Sequence, residues 1–375
     1  MSGIYIHIPF CKTRCNYCDF FKSTKLLYRE QYIEKLLKEL RDRRHFFGSR
    51  KNHLQTIYFG GGTPSLFSEK SIDNILNTIS NNYPVADNAE ITLEVNPDDL
   101  SPEYLKALRK TGINRLSIGV QSFYDVDLQK MGRRHDAMQS RRSLEWAFQT
   151  GFENVGIDLI YGLPWSDGST FLSNLDILSN YPVQHLSAYH LTIEPGTQFG
   201  KLKRQNRLSE PDDTESEKIF WALHDKAAEM GFEHYEISNF CRKGLYSRHN
   251  TAYWDNVPYL GAGPAAHSFD GTKRYWNKSD LNQYIKQGFS AGISCETLTL
   301  KDRFNEYLML RLRTSKGMNV DDVKKNFESY WNRIEPDINK WIQKEFLEKS
   351  DGYIYGTRKG WFVIDAIIED LFILE

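Results

Sequence analysis

The chain has 375 residues, 40% of them hydrophobic and 14% aromatic, enough for one large α/β domain with a smaller companion or for two to three average domains. Lysine and arginine (48) balance aspartate and glutamate (49), and the net charge of −1 gives no reason to expect a nucleic-acid or anionic-membrane partner. No apolar run approaches the roughly 18 residues that span a bilayer, and the first residues lack the basic and apolar regions of a signal peptide, so a cytoplasmic protein with reduced thiols is expected.

Periodicity predicts strands alternating with helices. "IYIHI" (4–8) precedes an amphipathic helix with Tyr32, Ile33, Leu36, Leu37 and Leu40 on one face. "TIYFG" (56–60) precedes a helix from Ser68, and "EITLEVN" (90–96) one from Ser101. "RLSIGVQS" (115–122) leads to two short helices, "VGIDLIYG" (155–162) to a helix from Asp167, and "HLSAYHL" (185–191) to a longer connection. A helix near 212–230 and "HYEIS" (234–238) close the region. Repeated βα units imply a parallel sheet with right-handed crossovers, and six of them an open (β/α)6 barrel.

Three of the five cysteines, Cys11, Cys15 and Cys18, follow the first strand with the spacing C-x3-C-x2-C. A structural zinc site wants four ligands, and no second C-x2-C or H-x3-H pair lies nearby. A thioredoxin-type Cys15–Cys18 pair leaves Cys11 idle, and three unrelated buried thiols leave the clustering unexplained. An iron–sulfur cluster with three thiolates uses all three and leaves one iron open.

The polar oddities fall at the carboxyl ends of strands, where parallel α/β barrels build their sites. Gly60-Gly61-Gly62-Thr63-Pro64 follows the second strand, where glycines let backbone groups approach a ligand. Glu94, Gln121 and Asp158 are polar groups in apolar strands, costly to bury unless a ligand hydroxyl or ammonium pairs with them. His190 ends the sixth strand. Arginine runs such as Arg41–Arg44 are expected to be solvated, and Arg133 in "MGRRH" taken alone reads the same way.

The cysteine spacing resembles that of the radical S-adenosylmethionine (SAM) superfamily, which implies a [4Fe–4S] cluster whose open iron takes the amino and carboxyl groups of SAM. "YIHIPFC", "GGGTP", "GVQSF", "GR" and "IDLIYGLP", in that order, resemble the HemN/HemW branch over almost the whole chain. Carried over by position, the resemblance implies SAM contacts from Tyr5, Gly61, Gly62, Thr63, Glu94, Gln121, Arg133 and Asp158, and cluster ligation by Cys11, Cys15 and Cys18. The oxygen-independent coproporphyrinogen oxidases of this branch carry a further cysteine two residues after the third, where Phe20 stands here, and an N-terminal extension, whereas ten residues precede Cys11 here. Both departures point to the haem-chaperone side of the branch. Oxidative decarboxylation of coproporphyrinogen III by a 5′-deoxyadenosyl radical is the alternative.

"RHNTAYW" (248–254) resembles the H-N-x-x-Y-W haem motif of that side, which implies a loop with His249 as iron ligand and Tyr253 and Trp254 flanking the macrocycle; Cys241 is the alternative ligand, and Cys295 reads as structural. After Thr297, helical patterns and a hairpin from "YIYG…GWFVID" predict a winged-helix-like module. Residues 297–375 carry 13 Lys+Arg against 14 Asp+Glu, 13 − 14 = −1, which argues against DNA binding. The expected division is a radical SAM core over 1–238, a connecting region with the haem motif over 239–296, and a HemN C-terminal-like module over 297–375. The partners implied are haem, haem-accepting proteins with membrane respiratory enzymes as candidates, and a second copy of the chain in a homodimer.

Overall fold

Six apolar segments form the parallel strands that the sequence predicts, each followed by one or two helices. The computed structural model describes residues 2–48 and 53–374. In chain order come β1 (Gly3–Ile8), α1 (Arg29–Asp42), β2 (Leu54–Gly61), α2 (Glu69–Asn82), β3 (Val85–Val95), α3 (Pro102–Lys110) and β4 (Arg115–Gln121). They are followed by α4 (Asp125–Met131), α5 (Ala137–Gln149), β5 (Asn154–Tyr161), α6 (Gly168–Leu178), β6 (His185–His190), α7 (Gln198–Arg204) and α8 (Asp213–Glu229). Strands β1 to β6 lie side by side in sequence order, every neighbouring pair parallel. The result is a partial (β/α)6 barrel.

Local chemistry explains where the helices begin. Ser68, Ser101, Asp167 and Asp212 each cap the helix that follows, accepting the backbone N–H of Ser71, Tyr104, Thr170 and Glu215. Each such cap stabilises its helix by about 1 kcal/mol. The apolar face of α1 packs Tyr32, Ile33, Leu36 and Leu40 into the barrel core beside Ile4, Ile6 and Phe59.

The stretch expected to be a connection instead extends the sheet on both sides. β7 (Phe232–Glu236), the strand expected over 234–238, and β8 (Asn239–Arg242) add beyond β6, antiparallel. After α9 (Arg248–Trp254), β9 (Tyr259–Ala262) pairs parallel with β1. β10 (His267–Phe269), β11 (Lys273–Asn277) and, past α10 (Leu281–Gln287), β12 (Ile293–Thr297) continue outward, giving twelve strands in one sheet. Strands β8 to β12, of three to five residues, carry too few alternations to register as a pattern. Arg43, expected to be solvated, is buried here: its guanidinium bonds the Glu39 carboxylate at 3.0 Å, the Gly261 carbonyl at 2.9 Å and Ser268 at 3.0 Å, tying α1 to the added strands.

The C-terminal module has its own core, with Phe304, Leu308, Trp331, Ile354 and Ile367 fully or almost fully buried. It comprises α11 (Leu300–Leu312), β13 (Met318–Asn319), α12 (Val320–Gln343, kinked at Phe327), β14 (Leu347–Ser350), β15 (Tyr353–Gly356), α13 (Arg358–Trp361) and α14 (Ile364–Leu371). The three strands in the order β13-β15-β14 and the flanking helices make it winged-helix-like. The hairpin lies one strand earlier than "YIYG…GWFVID" suggests. Asp351 and Gly352, both at positive φ, turn β14 into β15, the Asp-Gly signal of a tight hairpin, while the residues after Gly356 are largely helical.

Candidate functional site

The strand ends enclose a cavity of about 590 Å3, lined by residues at or just after the ends of all six barrel strands. The loop after β1 carries Cys11, Cys15 and Cys18 into it and is held by its backbone: Cys11 N–H donates to the Ser23 carbonyl at 3.1 Å, and Asn16 N–H to the Met131 carbonyl at 2.9 Å. The Thr63 hydroxyl donates to Cys11 Sγ and the Arg133 guanidinium to Cys15 Sγ, both at 3.5 Å. Burial pushes the Cys11 thiol above its ordinary pKa, with the Thr63 hydrogen bond opposing.

All three thiols are partly exposed and share this cavity. Among the described residues no three His, Cys, Asp or Glu side chains converge closely enough to hold one metal ion. In a multinuclear cluster each thiolate takes a separate iron, so the thiols need not converge, and the donor set here fits that arrangement.

Beside the cysteines, the turn after β2 brings backbone close to the same space. Gly61 has φ +107°, and a Cβ there would lie 2.7 Å from the His7 ring; a Cβ on Gly62 would lie 2.6 Å from the Phe10 carbonyl oxygen. Only glycine fits both. Gly62 and Thr63 donate their N–H groups to the Ile8 and Phe10 carbonyls, each at 2.7 Å, locking this turn to the end of β1 and the start of the cysteine loop.

Glu94 receives Tyr58 OH at 2.8 Å and Gly61 N–H at 3.2 Å. Its pKa is nonetheless pushed up to about 7, first by burial and then by the Asp158 carboxyl, against the pull of Tyr58, Gly61 and Arg115. Burial likewise raises Asp158, opposed by Ser187, Arg115 and Ser117. Two half-buried carboxyls that their surroundings do not fully stabilise as anions face the cavity, which fits a ligand carrying positive charge and hydroxyls. Gln121 lines the same wall at φ +67°, a conformation that costs a non-glycine residue on the order of 1–3 kcal/mol. Arg133 is not a solvated arginine. It donates to the Gly119 carbonyl at 2.8 Å, to Asn96, and to Tyr17 OH at 3.5 Å as well as to Cys15.

Two predicted residues lie elsewhere. Tyr5 does not line the cavity: its hydroxyl pairs with His7 Nδ1 at 3.1 Å and its ring stacks near Tyr58, behind Glu94. His249 lies in helix α9, not in a loop, and is 2% exposed. Its Nδ1 bonds Thr56 Oγ1 at 2.8 Å and its Nε2 bonds Tyr253 OH at 3.0 Å, while its ring stacks on Tyr58 at 4.9 Å. Burial lowers its pKa to about 3, so the imidazole is neutral, but neither nitrogen has a free lone pair or proton in this conformation. The start of α9 is also tied down, with Arg248 and His249 N–H groups donating to the Glu90 carboxylate. Cys241 is fully buried with its pKa raised by burial to about 12. Cys295 is exposed on the outer strand β12 and has no structural role visible there.

The cavity also holds residues the sequence reading passed over: Tyr17, Asn96, Ser117, Arg134 and Tyr189. Asn96 and Ser117 follow or sit in strands already identified, so the strand-end rule reaches them. Arg134 reaches the site through ion pairs with Asp98 at 2.6 Å and Asp99 at 3.3 Å, which no local pattern shows.

Residues 5–172 match the Radical SAM superfamily and residues 298–363 the HemN C-terminal domain. The chain is 33% identical to "Heme chaperone HemW" of Lactococcus lactis over 370 residues, covering 98% of this chain and 96% of that one. It is 34% identical to the protein of the same name from Bacillus subtilis over 368 residues, 96% of each. A mouse relative, "Radical S-adenosyl methionine domain-containing protein 1, mitochondrial", is 31% identical over 91% of this chain and 77% of its own length. Among solved structures, the coproporphyrinogen III oxidase HemN of Escherichia coli superposes with TM-score 0.84 over 99% of this chain and 89% of that one at 23% identity, a likeness of fold. The chain belongs to the HemW family of radical SAM proteins.

Proposed function

We propose that this chain is a haem chaperone, which binds haem and delivers it to haem-requiring proteins, with a [4Fe–4S] cluster on Cys11, Cys15 and Cys18 and SAM bound beside it. The end-to-end identity with "Heme chaperone HemW" of two bacteria carries the reading, since it spans 96% of each relative's length. Phe20 supports it. At the position where the oxidases place a further cysteine, its side chain lines the cavity, is 73% exposed and has no atom that ligates iron.

The residues lining the cavity divide the work by chemistry. Cys11, Cys15 and Cys18 would hold the cluster, which supplies an electron source and an iron with an open coordination position. Glu94 and Asp158 would face the positively charged and hydroxylated parts of SAM, the Gly61–Thr63 turn would approach its amino group, and Gln121 would bond it from the fourth strand. Arg133 holds Cys15 and Asn96 in place, and Tyr5 acts from behind through His7 and the Tyr58–Glu94 contact. Functionally the chain divides into the radical SAM core (1–238), the stretch with the haem motif (239–296) and the C-terminal module (297–375). Cytoplasmic residence, where the thiols stay reduced, haem-accepting partners that include membrane respiratory enzymes, and a homodimer belong to the same proposal. Ligation of haem iron by His249 would require α9 to leave its seat, breaking the bonds to Thr56 and Tyr253.

The fold shared with the oxidase makes coproporphyrinogen III oxidation the rival. Reconstituted protein supplied with reductant, SAM and coproporphyrinogen III is expected to yield no protoporphyrinogen IX, and haem-loaded protein to transfer haem to an apo-haem-protein. Turnover of coproporphyrinogen III would falsify the chaperone reading.

A further inference from the structure

The large sheet ends on two edges, and the chain treats them differently. At β7 the C-terminal module covers the edge: Ile237 N–H donates to the Arg313 carbonyl at 3.1 Å, and Ser315 N–H to the Tyr235 carbonyl at 3.0 Å. At the other end β12 pairs with β11 alone, and every residue of β12 is exposed.

Hydrogen-bond parity fixes which backbone groups β12 presents. Lys278 N–H donates to the Gly292 carbonyl at 2.9 Å, and Leu298 N–H to the Thr272 carbonyl at 3.1 Å. Both pairs stand directly opposite in the register that sets Asn277 against Ile293 and Lys273 against Thr297. In an antiparallel ladder such bonded pairs alternate with unbonded ones. Gly292, Ser294, Glu296 and Leu298 therefore face β11, while Ile293, Cys295 and Thr297 turn their N–H and C=O groups outward. Among the described residues no hydrogen bond reaches those outward groups.

Free edges are commonly blunted by lysine, proline or a bulge. The segment Ile-Ser-Cys-Glu-Thr has none of these: its ladder to β11 runs without a register shift, and Ile293 and Thr297 are β-branched strand formers. Apolar side chains flank it. Ile293 is 37% exposed, Leu300 47% and Leu374 79%, and the Lys301 ammonium holds Leu374 beside the start of α11 by its carbonyl at 2.9 Å.

The edge is complementary to itself. Cys295 is the middle one of the three outward residues, so a two-fold axis through it sets Cys295 against Cys295 and Ile293 against Thr297 in both directions. Every outward N–H and C=O of both copies is then bonded. Glu296, the one charge on the strand, comes opposite Ser294, so no like charges face each other.

We propose that β12 is a dimer interface, in which two copies pair antiparallel about Cys295 and join their sheets, with Leu300 just beyond each end of the ladder. This rests on the homodimer in the proposed function and gives it a surface. A ladder of this length is a small contact, short of the roughly 1,000 Å2 of a standing interface, so the dimer is one that dissociates on dilution.

The test is sedimentation velocity of the full-length reconstituted protein over a series of concentrations from micromolar to hundreds of micromolar. We expect wild type to pass from monomer to dimer across the series. Cys295→Pro removes an outward N–H and leaves the bonds to β11 whole, so it should stay monomeric throughout. Cys295→Lys and Cys295→Glu each place like charges on the axis and should be monomeric alone, while a mixture of the two should recover the dimer, which misfolded chains would not do. The iron content of all three variants should match wild type. Wild type that stays monomeric throughout overturns the homodimer and this interface together. Variants that dimerise like wild type, or a Lys and Glu mixture that stays monomeric, overturn the interface alone.

Discussion

The two ends of the barrel are built from the same six strands yet treat their polar groups in opposite ways. At the floor, His249, Thr56, Tyr253 and Glu90 satisfy one another: both imidazole nitrogens are bonded, and the Glu90 carboxylate takes two N–H groups from the start of α9. At the mouth, the Asp158 carboxyl raises the cost of ionising Glu94, Gln121 is held at φ +67°, and three thiols stand partly exposed in the cavity. Satisfied polar groups make a floor that is rigid and inert. Unsatisfied ones store a binding capacity that a ligand of matching charge releases. The contrast also explains why a motif can match a family's haem signature while its histidine is unavailable in the folded chain.

The largest effect expected from breaking the mouth is loss of the cluster. Anaerobically reconstituted wild type should hold about four irons per chain, and Cys11→Ala, Cys15→Ala or Cys18→Ala should each abolish this. Cys241→Ala and Cys295→Ala should retain full iron, as determined by chemical iron and sulfide analysis. A distal cysteine essential for iron would mean the three-thiolate site is wrong.

A smaller effect is expected from the carboxyl wall. Glu94→Ala and Gln121→Ala should each weaken SAM binding by tenfold or more in equilibrium dialysis without loss of iron. With Glu94 titrating at about 7, SAM affinity should rise as pH increases through that value and level off above it, by at most tenfold per pH unit, and Glu94→Gln should flatten the curve. The unloaded protein should respond in the opposite sense. Because the folded-state pKa lies above the ordinary 4.5, the stability Glu94 contributes is complete below about pH 4.5 and is lost as pH rises through 7. Wild-type SAM affinity in both alanine variants would leave the strand-end convergence without a function.

The floor should respond in stability. His249→Ala removes a buried ring and strands Thr56 and Tyr253, so denaturant unfolding should show a loss of about 2–4 kcal/mol, with the iron content of the folded protein unchanged. A neutral effect on stability would show that α9 is loosely seated and that His249 is available for ligation after all.

Much of this was legible in the sequence because it rests on local rules. The six barrel strands, the capping residues Ser68, Ser101, Asp167 and Asp212, and the cysteine loop follow from alternation, cap chemistry and spacing. So does the placement of Gly61, Gly62, Thr63, Glu94, Gln121 and Asp158 on one cavity, since the ends of parallel strands converge. What escaped depends on distant parts of the chain. Arg43 is buried because Gly261 and Ser268 lie more than 200 residues away in sequence and beside it in space. Tyr5 is drawn away from the cavity by its hydroxyl's pairing with His7 and its ring's packing near Tyr58, and His249 is closed off by Thr56 from another strand.

The most direct test of the mouth is electron paramagnetic resonance of the reduced, reconstituted protein recorded with and without SAM. An iron left open by the Cys11, Cys15 and Cys18 set, with Glu94 and Asp158 beside it, predicts that SAM shifts the wild-type spectrum and that Glu94→Ala needs at least tenfold more SAM for the same shift. A wild-type spectrum that stays the same at saturating SAM would contradict it.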